Sequence, residues 1–542
     1  MTPTLLGTHE QLRGEVLGLV EVDPDDAAMG MVELVADAGG PAVRCTGPVA
    51  DLVEGQCVTV VGHWQQHRRH GWSFEAVFYE RIAPERVAAS DGWMRSVAPV
   101  RWPADVASAV HERFGPRAPE LARTDPYGLL AVDRVRFGHV DELGRHLRMP
   151  MTDPGRVRAA ATAAVAASRR AGHEHLAHDA LVAATARLAG VDRLIAADAV
   201  AAAVTQGTLA TERIDDREVV STPGALRAER DLAAGLLRLL RAERPRLRER
   251  LTELAPDGLG PAVRATFSCP VSVLTGGRGT GAARAVTAIV RTVEGVGLRL
   301  GEDLVIADAA ACGDTESVRE LVAGIGDGAH LLVVGDLDLQ VPEGPGQVLR
   351  DLVDSGVVPV TSFTEPEAPG PDPAAPAGRI VGLAREVLAG EVGVLRGADG
   401  DVFLAEEPPH GDPVRRVVRA VTRRIPEHLG VDLDGIQVLT PRDAGPLGAH
   451  AVDAAIADAL GGPDRPSMAR AIHRTSGRTW PVAVVVVDVS DRGVVDRRML
   501  YTAVTRAERA LIVVGQEQTV RAAARWQRPV DRHTGLRARL RR

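Results

Sequence analysis

Lysine and asparagine are absent from this chain of 542 residues, and all 64 cationic side chains are arginine. A coding bias against both residue types explains this most simply; selection against lysine modification is the sharper alternative. Cysteine is scarce too. Cys45, Cys57, Cys269 and Cys312 lie far apart, with no CxxC pair and no His/Cys cluster. That spacing argues against a structural zinc site and for a reducing cytoplasm. No stretch approaches the roughly 20 apolar residues that cross a bilayer, so no membrane association is expected. The start, MTPTLLGTHEQLRGEV, lacks the charged head and long apolar core of a signal peptide. A net charge of −8 does not advertise a nucleic-acid binder.

What is present is an ordinary globular composition, 45% hydrophobic and 25% charged, in a chain long enough for about two to four domains. Within residues 1–82, short alternating stretches such as EVLGLVEV and CVTVVGHWQQH predict a small β-barrel. Residues 83–255 are rich in Ala, Arg and Leu at helical spacing, with breaks at Pro103, Pro116, Pro126 and Pro154, and predict a bundle of short helices. In it, His173, His175 and His178 have no Cys or carboxylate at metal spacing and read as surface residues. Over 256–364 the apolar runs VSVLT, DLVIAD and HLLVVGD alternate with helical segments, the pattern of a parallel sheet. A Pro-rich linker, EPEAPGPDPAAPAG, occupies 365–378, and a second α/β unit spans 379–520. Two α/β lobes joined by a linker frame a cleft suited to nucleotide chemistry. The segment 521–542 is strongly basic and reads either as a solvated tail or as a phosphate-contacting one.

The sharpest local signal is VSVLTGGRGTGAARAV, residues 271–286. An apolar run enters a glycine-rich turn opened by Gly276 and closed by Gly281, and a helical stretch follows, the layout of G-x-x-x-x-G-K-[ST]. Yet Ala282 stands where the lysine should reach the β/γ-phosphates, and Ala283 where a hydroxyl should hold Mg²⁺.

VLTGGRGTG, VVGDLDLQVPEGPGQVLRDLVDSGVVPV, IQVLTPRDAGPLG and MLYTAVTRAERALIVVG together resemble, collinearly over nearly the whole chain, the long-form RecD-like DNA helicases of superfamily 1. The resemblance implies an N-terminal OB-like barrel, a helix-hairpin-helix region with linker helices, and two RecA-like P-loop lobes, the second UvrD-like. It implies ATP-driven 5′ to 3′ translocation on single-stranded DNA and a place in DNA repair or recombination.

Matched residue by residue, the resemblance is uneven. Gly276, Gly277, Gly279, Thr280 and Gly281 keep the phosphate loop, whose backbone N–H groups could still attract an anion. Asp308 matches the Mg²⁺-organising Asp, but Ala309 replaces the Glu that orients the attacking water. The family's G-D-x-D-Q-L-P becomes Gly335-Asp336-Leu337-Asp338-Leu339-Gln340-Val341, with Gln340 displaced by one position. Ala368 falls on the family's arginine after the Thr-Glu pair, and the adenine-contacting Gln falls near Leu259. HKSQGSE becomes His473-Arg474-Thr475-Ser476-Gly477-Arg478-Thr479. Arg506, in the intact YTAVTRA, matches the family's γ-phosphate-sensing arginine. The hairpin glycines that grip DNA backbone are replaced in Arg134-Val135-Arg136, leaving Arg134 and Arg136 as side-chain phosphate contacts or as an exposed charge pair. Only residues 282–307 separate the loop from Asp308, where the family carries a strand-splitting pin, and its SH3-like subdomain is missing as well.

Scaffold residues survive and most ligand-contacting side chains do not, so the expected product is a pseudo-helicase. It binds single-stranded DNA, through Arg134, Arg136, His473 and Arg474 among others, or docks on a repair or replication protein. No cofactor is firmly expected beyond weak ATP/Mg²⁺ binding. Two rivals stay open: an active helicase with divergent motifs, and a docking scaffold that binds no nucleic acid.

Overall fold

The computed structural model describes residues 10–22, 29–36, 42–52, 56–67, 71–81, 97, 102, 104–132, 134–242, 268–295, 299–308, 313–342, 344–364, 378–393, 395, 400–406, 412–443, 447–462, 467–475, 477–491, 493–528, 530 and 532–542. Ala309, Leu259, Ala368, Ser476 and nearly all of the linker 365–378 lie outside these residues. The chain forms two compact units: Met1–Ala167 with Ala177–Thr211, and Ser168–Leu176 with Glu212–Asp443 and Leu447–Arg542.

The first unit opens with β1 (Glu10–Val22), β2 (Gly30–Ala36), β3 (Ala42–Gly47), β4 (Cys57–His67) and β5 (Gly71–Arg81). They close into a barrel of order β1-β2-β3-β5-β4, with β3 and β5 parallel and the other pairs antiparallel. Alternation turns Val16, Val32, Leu34, Val58, Val60 and Phe74 into its core. Register shifts at Val16/Gly18 and Leu19/Glu21 let the long β1 bend around the closure.

Short helices follow, including Ala104–Phe114, Phe137–His146, Pro154–Arg170, His178–Ala189 and Arg193–Thr205. Their core holds one buried ion pair. Arg156 Nε donates to Asp141 Oδ1 at 2.6 Å, and Arg156 Nη1 donates to the carbonyls of Met151 and Ala189, each at 2.7 Å. Both side chains are almost wholly buried, so every polar atom of the pair needs these partners.

β6 (Leu176–Ala177), β7 (Ala210–Ile214) and β8 (Arg217–Ser221) form a small sheet. The second unit then builds two all-parallel sheets. β9 (Val271–Gly276), β10 (Leu304–Asp308), β11 (His330–Gly335) and β12 (Val360–Phe363) run in the order β10-β11-β9-β12. β13 (Val402–Glu406), β14 (Ile436–Thr440), β15 (Ala469–Ala471), β16 (Trp480–Val487) and β17 (Ala507–Gly515) run in the order β13-β17-β16-β14-β15. Central strands such as VSVLT and VAVVVV are buried throughout because helices cover both faces.

Two segments depart from the sequence expectation. The helix Pro223–Arg241, capped by Thr222, sends Leu232, Leu236 and Leu239 into the core of the first parallel sheet. The basic C-terminus is neither solvated tail nor phosphate surface at its key residues. Helix Leu536–Leu540 buries Leu536 and Leu540 in that same core. Arg532 donates to the carbonyls of Pro342, Gly344 and Gly346 at 2.5–2.8 Å, and Arg539 pairs with Glu212. Apolar residues between the arginines make this an anchoring helix, and the guanidiniums satisfy groups of its own unit. His173 and His175 change reading for the same reason: His175 is buried, and His173 Nδ1 accepts the His533 N–H at 3.2 Å. Burial holds the His175 imidazole down at about 4.

Candidate nucleotide site

The phosphate loop keeps its local geometry. β9 ends at Gly276, Gly279 and Gly281 adopt φ of +75° and +85°, and the helix Ala282–Gly295 starts at once. Those left-handed conformations are the reason glycine survives there. Thr280 turns inward, its Oγ1 donating to the Gly277 carbonyl at 2.7 Å. Ala282, at the lysine position, is 6% exposed and packs with Leu274, Ala285 and Ile289. The position has become hydrophobic core. Ala283 is exposed.

The cradle is filled from within the same unit. Asp496 caps the helix Arg497–Val504 by accepting the Met499 N–H at 2.9 Å, which fixes the direction of Tyr501. The Tyr501 hydroxyl donates to Asp336 Oδ2 at 2.6 Å and lies against the phosphate loop beside Gly277. A phenol oxygen thus sits beside the loop backbone. A methyl group added at Gly277 would collide with that hydroxyl. Burial, then the neighbouring Asp336 charge, drive the Tyr501 pKa far upward, so the phenol stays neutral and keeps its donor proton. Burial also raises the Asp336 pKa, opposed by the bonds from Tyr501 and the Asp338 N–H.

Arg278 and Arg506 tie the site shut. Arg278 reaches from the loop to the carbonyls of Thr505 and Glu508, at 3.1 and 3.2 Å. Arg506 is 6% exposed. Its Nε donates to Thr502 O at 3.1 Å, its Nη1 to Thr475 O and Arg478 O at 3.4 and 3.2 Å, and its Nη2 to Thr505 Oγ1 at 3.1 Å. Burial lowers the pKa of both guanidiniums. The Gln340 N–H donates to Thr502 Oγ1 at 2.8 Å, while its side-chain Oε1 is buried without a hydrogen bond. The cavity bordered by Asp336, Gln340, Thr502 and Arg506 holds about 60 Å³. Ligand pockets run to roughly 300–1,000 Å³. With alanines at 282 and 283 as well, the residues present do not fit a magnesium nucleotide in this arrangement.

The structure therefore brings together Gly276, Gly277, Gly279, Thr280, Gly281, Asp336, Gln340 and Arg506. Asp308 ends β10 exposed. His473 and Arg474 lie apart from the loop and share Asp443, at 3.2 and 3.0 Å. In the first unit, Arg134 is exposed and the Arg136 N–H donates to His139 Nδ1 at 3.1 Å, opening the helix Phe137–His146. Sequence reasoning missed Tyr501 and weighed Arg278 only as a substitute for the missing lysine. Tyr501 sits in the intact YTAVTRA and Arg278 in the altered phosphate loop, and the local sequence carries no signal of where their polar atoms end up.

Among the described residues no group of three or more His, Cys, Asp or Glu could hold a metal, and no helix is long and apolar enough to cross a membrane.

Residues 91–174 match the model of the ATP-dependent RecD2 DNA helicase HHH domain, and residues 466–514 that of the UvrD-like helicase C-terminal domain. The RecBCD enzyme subunit RecD of Mycobacterium tuberculosis is 26% identical over 316 residues, 45% of this chain and 54% of that protein. The same subunit of Mycolicibacterium smegmatis is 42% identical over 73 residues, 14% of this chain and 13% of that protein. The chain thus spans about half the length of the first of these relatives. A solved Arterivirus nonstructural protein 10 (helicase) with DNA aligns with a TM-score of 0.26 at 12% identity, over 59% of this chain and 74% of that one; a likeness at that level carries no argument. The two matched domains, in the order the motifs require, and the similarity to RecD subunits support a place for this chain among the RecD-like superfamily 1 helicases.

Proposed function

We propose that this chain is a RecD-like pseudo-helicase that binds single-stranded DNA in repair or recombination without turning over ATP. The two parallel sheets are read as RecA-like lobes, 256–364 and 379–520, and the barrel as OB-like. The observation that carries the reading is the Tyr501 hydroxyl against the phosphate loop, bonded to Asp336, with alanine at both ligand positions. Each lost charge-assisted contact removes roughly 1.5–3 kcal/mol of binding. Phosphoryl transfer depends on those contacts for positioning and charge neutralisation. Restoring lysine at 282 alone would place an ammonium in packed core behind the filled cradle, so the losses support one another.

The test is ATP hydrolysis with and without single-stranded DNA, beside the Asp308→Asn variant, with DNA binding followed by fluorescence anisotropy. The expected result is no hydrolysis above that variant, and DNA binding that weakens steeply with salt. DNA-stimulated turnover abolished by Asp308→Asn would overturn the proposal in favour of an active helicase. Absent DNA binding at low salt would overturn it in favour of a docking scaffold.

A further inference from the structure

A second basic feature lies away from the phosphate loop. After β13 the chain forms the helix Pro413–Arg419, a single π-turn over Ala420–Arg424, and the helix Ile425–Leu429. Val417, Ala420, Val421 and Ile425 bury one face against the second parallel sheet. The other face carries Arg415, Arg419, Arg423 and Arg424, all exposed, with Arg416 half-buried beside them. These five arginines and β13 border an open cavity of about 1320 Å³, with Phe403 among its lining residues. β13 is an edge strand, paired among the described strands with β17 alone.

The wide turn has a geometric consequence. In an uninterrupted α-helix, positions 419 and 424 would diverge by about 140° around the axis. A π-turn absorbs one extra residue and brings 424 back towards the face that carries 415 and 419. With about 1.5 Å rise per residue, the guanidinium-bearing positions 415, 419 and 424 then follow one another at steps of roughly 6 and 7.5 Å. Neighbouring phosphates in an extended strand are separated by a comparable distance. Arg423 is paired with Glu427 at 3.1 Å, whereas Arg415, Arg419 and Arg424 form no ion pair among the described residues. The Asp412 carboxylate is engaged, accepting the Arg415 backbone N–H at 3.0 Å. Three cations with no ion pair among the described residues, spaced along an open groove with an aromatic ring in its wall, are the elements of a single-strand backbone site.

We propose that the groove between β13 and the arginine stripe binds the sugar–phosphate backbone of single-stranded nucleic acid, with Arg415, Arg419 and Arg424 contacting successive phosphates. The proposal rests on the DNA-binding reading above and assigns that binding a place. The alternative occupant, an acidic polypeptide, would be held by charge without regard to the spacing of the cations.

The test uses the full chain and a fluorescein-labelled oligothymidylate, followed by anisotropy at increasing salt. The triple variant Arg415→Glu, Arg419→Glu, Arg424→Glu is compared with Arg193→Glu, Arg217→Glu, Arg227→Glu, an equal charge change at exposed positions elsewhere. A third variant, Arg415→Lys, Arg419→Lys, Arg424→Lys, retains the charges. The stripe reversal is expected to weaken binding at least tenfold at low salt and to flatten the slope of log affinity against log salt by about 2, from some 0.7 per phosphate contact. The control reversal is expected to change affinity less than about threefold, and the lysine variant to bind with most of the wild-type slope. Circular dichroism of each variant separates lost binding from lost folding. If wild type binds and the stripe reversal binds equally, this site is overturned and the DNA-binding reading stands. If wild type does not bind at low salt, both fall. If polyglutamate displaces the oligonucleotide at equal charge concentration, the groove is an acidic-protein site and the proposal is overturned.

Discussion

Arg506→Ala is the most informative single substitution. As a γ-phosphate sensor, the guanidinium would wait for its ligand, and its removal would leave stability nearly unchanged. Here it holds four acceptors in a site where water has little access. Hydrogen bonds from a charged donor contribute about 1.5–3 kcal/mol each. The 3.4 Å contact to Thr475 is marginal, which leaves three effective bonds. Their sum is reduced because the variant no longer buries a charge, but carbonyls of Thr502 and Arg478 then lose a partner. The expected loss is about 3–4 kcal/mol, in the range reserved for broken buried networks. With a urea m-value near 3 kcal/mol/M for a unit of this size, the midpoint should fall by about 1 M. Arg506→Lys, which keeps the charge and loses the fork, should lose about half as much. The assay is equilibrium urea denaturation followed by tryptophan fluorescence and circular dichroism. An Arg506→Ala midpoint within about 0.2 M of wild type would refute the structural role and return Arg506 to ligand sensing.

Other expectations concern separate parts of the molecule. Burial lifts the Glu229 carboxyl to about 7 from 4.5, and its Oε1 accepts the N–H groups of Gly535 and Leu536 that anchor the C-terminal helix. A raised carboxyl pKa makes the fold favour the protonated form. Its stability contribution is therefore complete below about pH 4.5 and lost as pH rises through about 7. Asp351, likewise lifted to about 7 by burial, acts in the same direction. Glu229→Gln should flatten the fall in Tm between pH 5 and 8 and stabilise at pH 8 by on the order of 2 kcal/mol; an unchanged pH slope would refute this. Arg156→Ala should destabilise by about 3–5 kcal/mol, whereas Arg156→Met with Asp141→Leu should cost less, as a urea double-mutant cycle would report. The Cys45 thiol, buried in the barrel and pushed up to about 12, should resist iodoacetamide at pH 8 in native protein, and site-resolved mass spectrometry showing labelling at the unfolded rate would contradict its burial.

Local chemistry made part of the molecule legible before any coordinates. Continuous apolar runs specified buried parallel strands, alternation specified the barrel, and the glycines of VLTGGRGTG specified a strand–turn–helix with left-handed φ values. Ala282 and Ala283 announced the missing ligands without any coordinates. The tertiary structure decided what replaced them. Tyr501 and Asp336 meet across 165 positions of sequence, and Arg278 reaches Thr505 across 227. No pattern within a window encodes such a pairing, because it depends on how two sheets and their helices stack. The same holds for the last residues. LRARLRR reads as charge when taken locally, yet Leu536 and Leu540 find an apolar core, and that burial carries Arg539 to Glu212. Periodicity fixes which face of an element is apolar, and only packing fixes which polar atoms that burial forces together.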